Sequence, residues 1–119
     1  MALKDTSTGL EFWVSVADRP AGGSTATVFG ELDAATAPQL RGALERAIEA
    51  DGDVELDLRG CAFVDSSGIA AVVWAAWQLK ERDRRLLLVG ARERVRGILE
   101  LAGIAGHSAI VLDEPDRPG

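Results

Sequence analysis

Phe63-Val64-Asp65-Ser66-Ser67-Gly68-Ile69 joins an apolar segment to a strongly apolar run, and its reading decides the fold. Upstream, residues 54–58 alternate Val54, Leu56 and Leu58 with Glu55 and Asp57, the period of a half-buried strand. Downstream, a helix is predicted to about Arg82, with Ile69, Val72, Val73 and Ala76 on one face. A helix start leaves backbone N–H groups without internal partners, and its dipole favours negative charge. Serines there can cap the helix, and a phosphate placed on one is also tolerated. Both readings stay open on these residues alone.

Nearer the N-terminus, residues 11–16 alternate Phe12, Val14 and Val16 with Trp13 and Ser15, predicting a strand. The turn-rich 18–23 separates it from a second strand over 24–32, so the two form an antiparallel hairpin. Thr36-Ala37-Pro38-Gln39 reads as a capping box, with Thr36 as the N-cap and Gln39 reaching back. Leu40, Ala43, Leu44, Ala47 and Ile48 then make one helical face that ends at Asp51-Gly52. After the second helix come a strand over 85–89, a helix over 91–102 and a strand over 108–112. From Leu32 onward helices and strands alternate, which builds parallel βαβ units. The expected fold is a single α/β domain over 11–112, a small mixed β-sheet of about four to five strands with crossover helices packed on it. Residues 1–10 are expected to be a flexible N-terminus and 113–119 a disordered tail.

Composition narrows the function classes. The 119 residues suit one domain, and 47% hydrophobic with 27% charged residues is an ordinary globular balance. The longest apolar run, 69–77, is far short of the roughly 20 residues that cross a bilayer, so no membrane insertion is expected. No apolar core follows the single Lys4, which argues against a secretory signal, and a lone Cys61 forms no internal disulfide. The cytoplasm is the simpler compartment. Of the net charge of −6, residues 80–96 contribute seven basic against three acidic side chains, leaving the rest strongly acidic. Acids and the apolar 86–89 interrupt that basic band, so solvated helix ends are preferred to direct nucleic-acid binding.

An enzyme needs a constellation that this chain lacks. His107 is the only histidine and lies in a Gly-rich turn far from the serines. One Cys and one His cannot fill a zinc site, and no phosphate-binding glycine loop is present. Neither a catalytic set, a metal nor a cofactor is therefore expected; Cys61 reads as a small buried hydrophobe and His107 as a surface residue. Two acidic segments do fall at predicted strand ends, where ligand and partner sites gather in α/β sheets. If those strands are neighbours, Asp33 and Asp65 flank one small surface with the serines between them. Trp74 and Trp77, at i and i+3, lie off the sheet-facing side of the second helix. They either pack against the first helix or meet a partner.

Four separated segments together resemble the anti-sigma factor antagonists with the STAS fold. They are Gly30-Glu31-Leu32-Asp33, Thr36-Ala37-Pro38-Gln39-Leu40, Phe63-Val64-Asp65-Ser66-Ser67-Gly68-Ile69 and Ile98-Leu99-Glu100-Leu101-Ala102-Gly103-Ile104, in the right order across residues 10–112. The resemblance implies a non-enzymatic bacterial cytoplasmic protein. Unphosphorylated, it would bind an anti-sigma factor that is itself a serine kinase and so release a sigma factor. The kinase would phosphorylate the second serine, Ser67 by position, and a serine phosphatase would reverse this. Asp33 and Asp65 match the family's acidic residues beside the phosphosite, and Thr36, Ser66, Gly68, Trp74 and Trp77 complete the expected partner surface. A second group of the same fold consists of subunits or scaffolds of lipid-transport ATPases or signalling complexes. These dock without a phospho-switch and often lack the serine pair that this chain keeps.

Overall fold

The computed structural model describes residues 2–5 and 11–113. In chain order the elements are β1 (Ala2–Asp5), β2 (Phe12–Asp18), β3 (Ser24–Leu32), α1 (Ala37–Glu49), β4 (Val54–Val64), α2 (Ser66–Lys80), β5 (Leu86–Val89), α3 (Glu93–Leu101) and β6 (Ile110–Leu112). A 3-10 turn, Ile104–Gly106, precedes β6. The strands lie side by side in the order of the chain. β1, β2 and β3 pair antiparallel, while β3 to β6 pair parallel. Because the parallel part advances steadily in one direction, right-handed crossovers put α1, α2 and α3 on the same face.

Burial follows from that arrangement. Val14, Ala26, Val28, Val54, Leu56, Leu86 and Leu88, on the helix-facing side of their strands, are fully buried, as are Leu40, Leu44 and Leu79 from the helices. Each such Val or Leu side chain contributes about 1.5–3 kcal/mol by leaving water. The opposite face stays partly open, and there Trp13 stacks on its cross-strand neighbour Phe29 with ring centroids 5.5 Å apart.

The expected mixed α/β sheet is present, with six strands among the described residues. The additional strand is β1, which places residues 2–5 of the expected flexible N-terminus in the sheet. Its pairing with β2 is a backbone ladder, and Ala2-Leu3-Lys4-Asp5 has no apolar alternation to announce it. Asp113, expected in the tail, is also tied to the domain. Its N–H donates to Leu88 O, and its carboxylate accepts from Gly90 N–H and faces Arg96. The remaining residues of both expected termini, 1, 6–10 and 114–119, lie outside the described residues.

β4 runs on to Val64, well beyond the expected 54–58. Its register against β3 slips twice, between Thr27 and Phe29 and again between Gly30 and Glu31. Each slip inserts a residue into β4, so the buried positions change from Val54, Leu56 and Leu58 to Cys61 and Val64. Gly60 lies within this irregular stretch, where a Cβ would stand 2.8 Å from Val28 O. The bulges break the period-2 pattern, which is why sequence periodicity stops at Leu58. They also carry β4 far enough to end level with β3, with Leu32 opposite Val64.

Candidate functional site

Leu32 and Val64 are the last residues of adjacent parallel strands, so Asp33 and Asp65 leave the sheet side by side. A backbone bond from Asp65 N–H to Leu32 O, 3.0 Å, ties the two exits together. Each aspartate then organises the helix start that follows it. Asp65 is the N-cap of α2, and its Oδ1 accepts from Ser67 N–H at 2.8 Å and Gly68 N–H at 3.4 Å. Asp33 Oδ1 accepts from Ala35 N–H at 2.9 Å and Thr36 N–H at 3.1 Å, closing the turn before α1.

The expected capping box at α1 does not form. Thr36 holds the N-cap position, but its hydroxyl makes no cap bond. It donates instead to Glu31 O at 2.7 Å and accepts from Asp33 N–H at 3.0 Å. Gln39 does not reach back; its Oε1 is buried without a hydrogen-bond partner. Thr36 is only 3% exposed, so its place on the expected partner surface is corrected: it is an internal strut of the loop.

The serines are placed differently. Ser66 is exposed and Ser67 half-buried, and neither hydroxyl has a hydrogen-bond partner among the described residues. The aspartate does the capping, which leaves both hydroxyls available. Gly68, also expected on the partner surface, is buried. A Cβ there would stand 2.7 Å from Val64 Cγ2 and 2.9 Å from Leu32 Cβ. Its role is to seat α2 on the strand ends.

Ser67 opens onto a shallow cleft of about 300 Å³ between α1 and α2, lined also by Ala34, Pro38, Arg41 and Ala70. Two turns along α2, Trp74 is half-buried and packed against the core, with the Arg41 guanidinium 4.2 Å from its ring centroid. Trp77 is 51% exposed. The two tryptophans therefore part company: Trp74 packs between the helices and Trp77 faces solvent.

His107, expected to be a surface residue, meets Trp77 edge to face with centroids 4.8 Å apart. Its Nδ1 accepts from Ala109 N–H at 3.1 Å, and its Nε2 is buried. It holds Trp77 in place and lies away from the Ser67 cleft. Thirty residues of sequence separation hide that contact. Cys61 is fully buried as expected; burial pushes its thiol pKa up, and a bond to Phe63 O only partly opposes this. No group of His, Cys, Asp and Glu among the described residues is arranged to hold a metal ion. No helix among them is long and apolar enough to cross a membrane.

The basic band is largely engaged within the fold. Arg84 donates to Ile48 O and Ala50 O at the end of α1, where backbone carbonyls lack helical partners, and pairs with Asp51. Arg85 pairs with Asp53, and Arg96 with Glu100 and Asp113.

Comparison with known proteins agrees with this geometry. Residues 17–113 match the family model described as Mlab, STAS domain. An anti-sigma-B factor antagonist of Listeria monocytogenes is 35% identical over 79 residues, covering 66% of this chain and 69% of its own length. One from Staphylococcus aureus is 30% identical over 79 residues, covering 65% and 72%. Among solved structures, the anti-sigma factor antagonist SpoIIAA in its unphosphorylated form superposes with a TM-score of 0.70 at 21% identity, over 85% of this chain and 88% of that one. An anti-sigma factor antagonist from Mycobacterium paratuberculosis gives 0.69 at 24% identity, over 82% of both chains. At those identities the superpositions establish the shared fold.

Proposed function

The chain belongs to the STAS domain family, and from that premise we propose that it is an anti-sigma factor antagonist switched by phosphorylation of Ser67. In the unphosphorylated form it binds an anti-sigma factor serine kinase and so releases a sigma factor in the bacterial cytoplasm. A serine phosphatase restores the phosphorylated form to the binding state. The chain itself carries out no catalysis in this scheme and needs no metal or cofactor.

One observation carries the proposal. At the first turn of α2 the capping bonds are made by Asp65, while the Ser67 hydroxyl is unbonded and opens onto a cleft. A phosphate there adds about −1.5 to −2 charges and three acceptor oxygens. The helix N-terminus accommodates that charge, so the fold survives. A partner packed over Ser67 does not, because it meets desolvation and the added field of Asp33 and Asp65. The supporting surface is Ser66, Ser67, the cleft between α1 and α2, and the exposed ring of Trp77. The curated relatives, each of which this chain matches over more than two thirds of its length, are named as antagonists of anti-sigma-B factor.

Calorimetry against the anti-sigma factor kinase tests the reading. Ser67→Ala is expected to bind as tightly as the unmodified chain and Ser67→Asp much more weakly. Equal affinities of the two variants would overturn it. A second reading draws on the family model, whose description names the domain and Mlab rather than an antagonist. In it the chain is a STAS subunit or scaffold, for example of a lipid-transport ATPase, that docks through α2 without modification. Stable co-purification with membrane ATPase subunits, unaffected by Ser67→Asp, would favour that reading.

A further inference from the structure

Arg41 borders the same cleft as Ser67, from the facing helix. Along α2, Ser67 and Trp74 are seven residues apart, which is two helical turns on one face and about 10 Å along the axis. Of the residues between them, Ala70 and Ala71, both small, line the cleft. Arg41 thus lines from α1 the cleft that Ser67 lines from α2, and it reaches the Trp74 ring as well. At present its guanidinium lies 4.2 Å from the centre of the Trp74 ring, with Nε 4.0 Å from Glu45 Oε1.

Both contacts are weak. The Arg41 side chain is 53% exposed and that of Glu45 58%, where solvent screens an ion pair in helix i,i+4 spacing. A cation–π contact that is partly exposed is weakened by water in the same way. A phosphate on Ser67 offers a doubly charged acceptor whose planar fork with arginine is the stronger partner. The other charged groups facing that position, Asp33 and Asp65, are acidic and leave Arg41 as the cation lining the cleft.

We propose that Arg41 is the built-in receptor of a phosphate on Ser67, leaving the Trp74 ring and Glu45 to pair with it. Phosphorylation then has two effects on the surface. It places a partly neutralised phosphate at the helix start, and it uncovers the flank of Trp74 two turns away. The proposal rests on reading Ser67 as the modified residue, and deepens it by giving the switch a moving part on α1.

Phosphoserine encoded directly at position 67 tests this without any kinase. A Trp13→Phe, Trp77→Phe background leaves Trp74 as the only tryptophan, since the chain has three. Going from serine to phosphoserine is expected to raise the accessibility of Trp74 to acrylamide. With Arg41→Gln the serine and phosphoserine forms should be alike. By 31P NMR, the second pKa of the phosphate, ordinarily about 6, should rise by about half a unit with Arg41→Gln, the size expected of a partly solvated ion pair. Arg41→Lys, which keeps the charge, should retain most of the depression. Both changes, each dependent on Arg41, support the proposal. A phosphate pKa indifferent to Arg41→Gln, or a Trp74 response that survives it, overturns it. Failure of the switch itself is read separately, as undiminished binding of the phosphoserine chain to the kinase.

Discussion

The two helix starts of this protein are built from the same parts and use them in opposite ways. Each follows the end of a parallel strand, each has an aspartate first, and each has a hydroxyl residue within three positions. At α1 the Thr36 hydroxyl is buried and held between Glu31 O and Asp33 N–H. At α2 the Asp65 carboxylate takes the capping bonds, and Ser66 and Ser67 keep unbonded hydroxyls. The first is a structural joint and the second a joint with a reactive group left over. A site for reversible modification must be expendable to the fold, and only the α2 start meets that condition.

Deleting each hydroxyl should affect the two helix starts very differently. Thr36→Val leaves the part-buried Asp33 N–H and Glu31 carbonyl without this partner, and should lose about 1–3 kcal/mol in urea unfolding. Ser67→Ala should stay within about 0.5 kcal/mol of the parent. Similar losses for both would show that the Ser67 hydroxyl also supports the fold. Gly68→Ala should cost about 1–3 kcal/mol, because its Cβ meets Val64 and Leu32. Gly42→Ala, where a Cβ meets nothing within 4 Å, should instead stabilise by up to about 1 kcal/mol.

Asp65→Ala should cost about 0.5–2 kcal/mol and speed amide exchange at Ser67 and Gly68, whereas Ser66→Ala should change neither. An unchanged exchange rate after Asp65→Ala would remove the aspartate from the capping role. The smallest effect concerns Cys61. Burial holds its folded pKa above the unfolded value of about 8.5. Its contribution is therefore complete below that pH and is lost as pH rises from there through the folded pKa. Cys61→Ala should flatten the alkaline slope of stability measured by denaturant titration.

Much of this was legible in the sequence because periodicity reports which face is buried. The helical face of α1 and the alternation of β2 and the first half of β4 follow directly from apolar spacing. The adjacency of Asp33 and Asp65 was conditional on their strands being neighbours, and the pairing of β3 with β4 meets that condition. What periodicity cannot show is a hydroxyl's direction: Thr36 has the same capping signature whether its side chain meets a helix N–H or the preceding loop. Nor does it survive the bulges near Gly60, which hid the second half of β4. β1 lacks apolar alternation, and the contact of His107 with Trp77 depends on tertiary packing alone. Trp74 and Trp77, alike in type and spacing, were separated only by what α1 and the turn before β6 place beside them.

The central claim is that Ser67 is the modified residue and that Ser66, its exposed neighbour, is not. Phosphopeptide mapping after incubating the chain with Mg-ATP and the anti-sigma factor kinase tests it most directly. A single phosphate on Ser67, abolished by Ser67→Ala and unaffected by Ser66→Ala, is the predicted result. A phosphate on Ser66, or a chain that binds the kinase and stays unmodified, would contradict it.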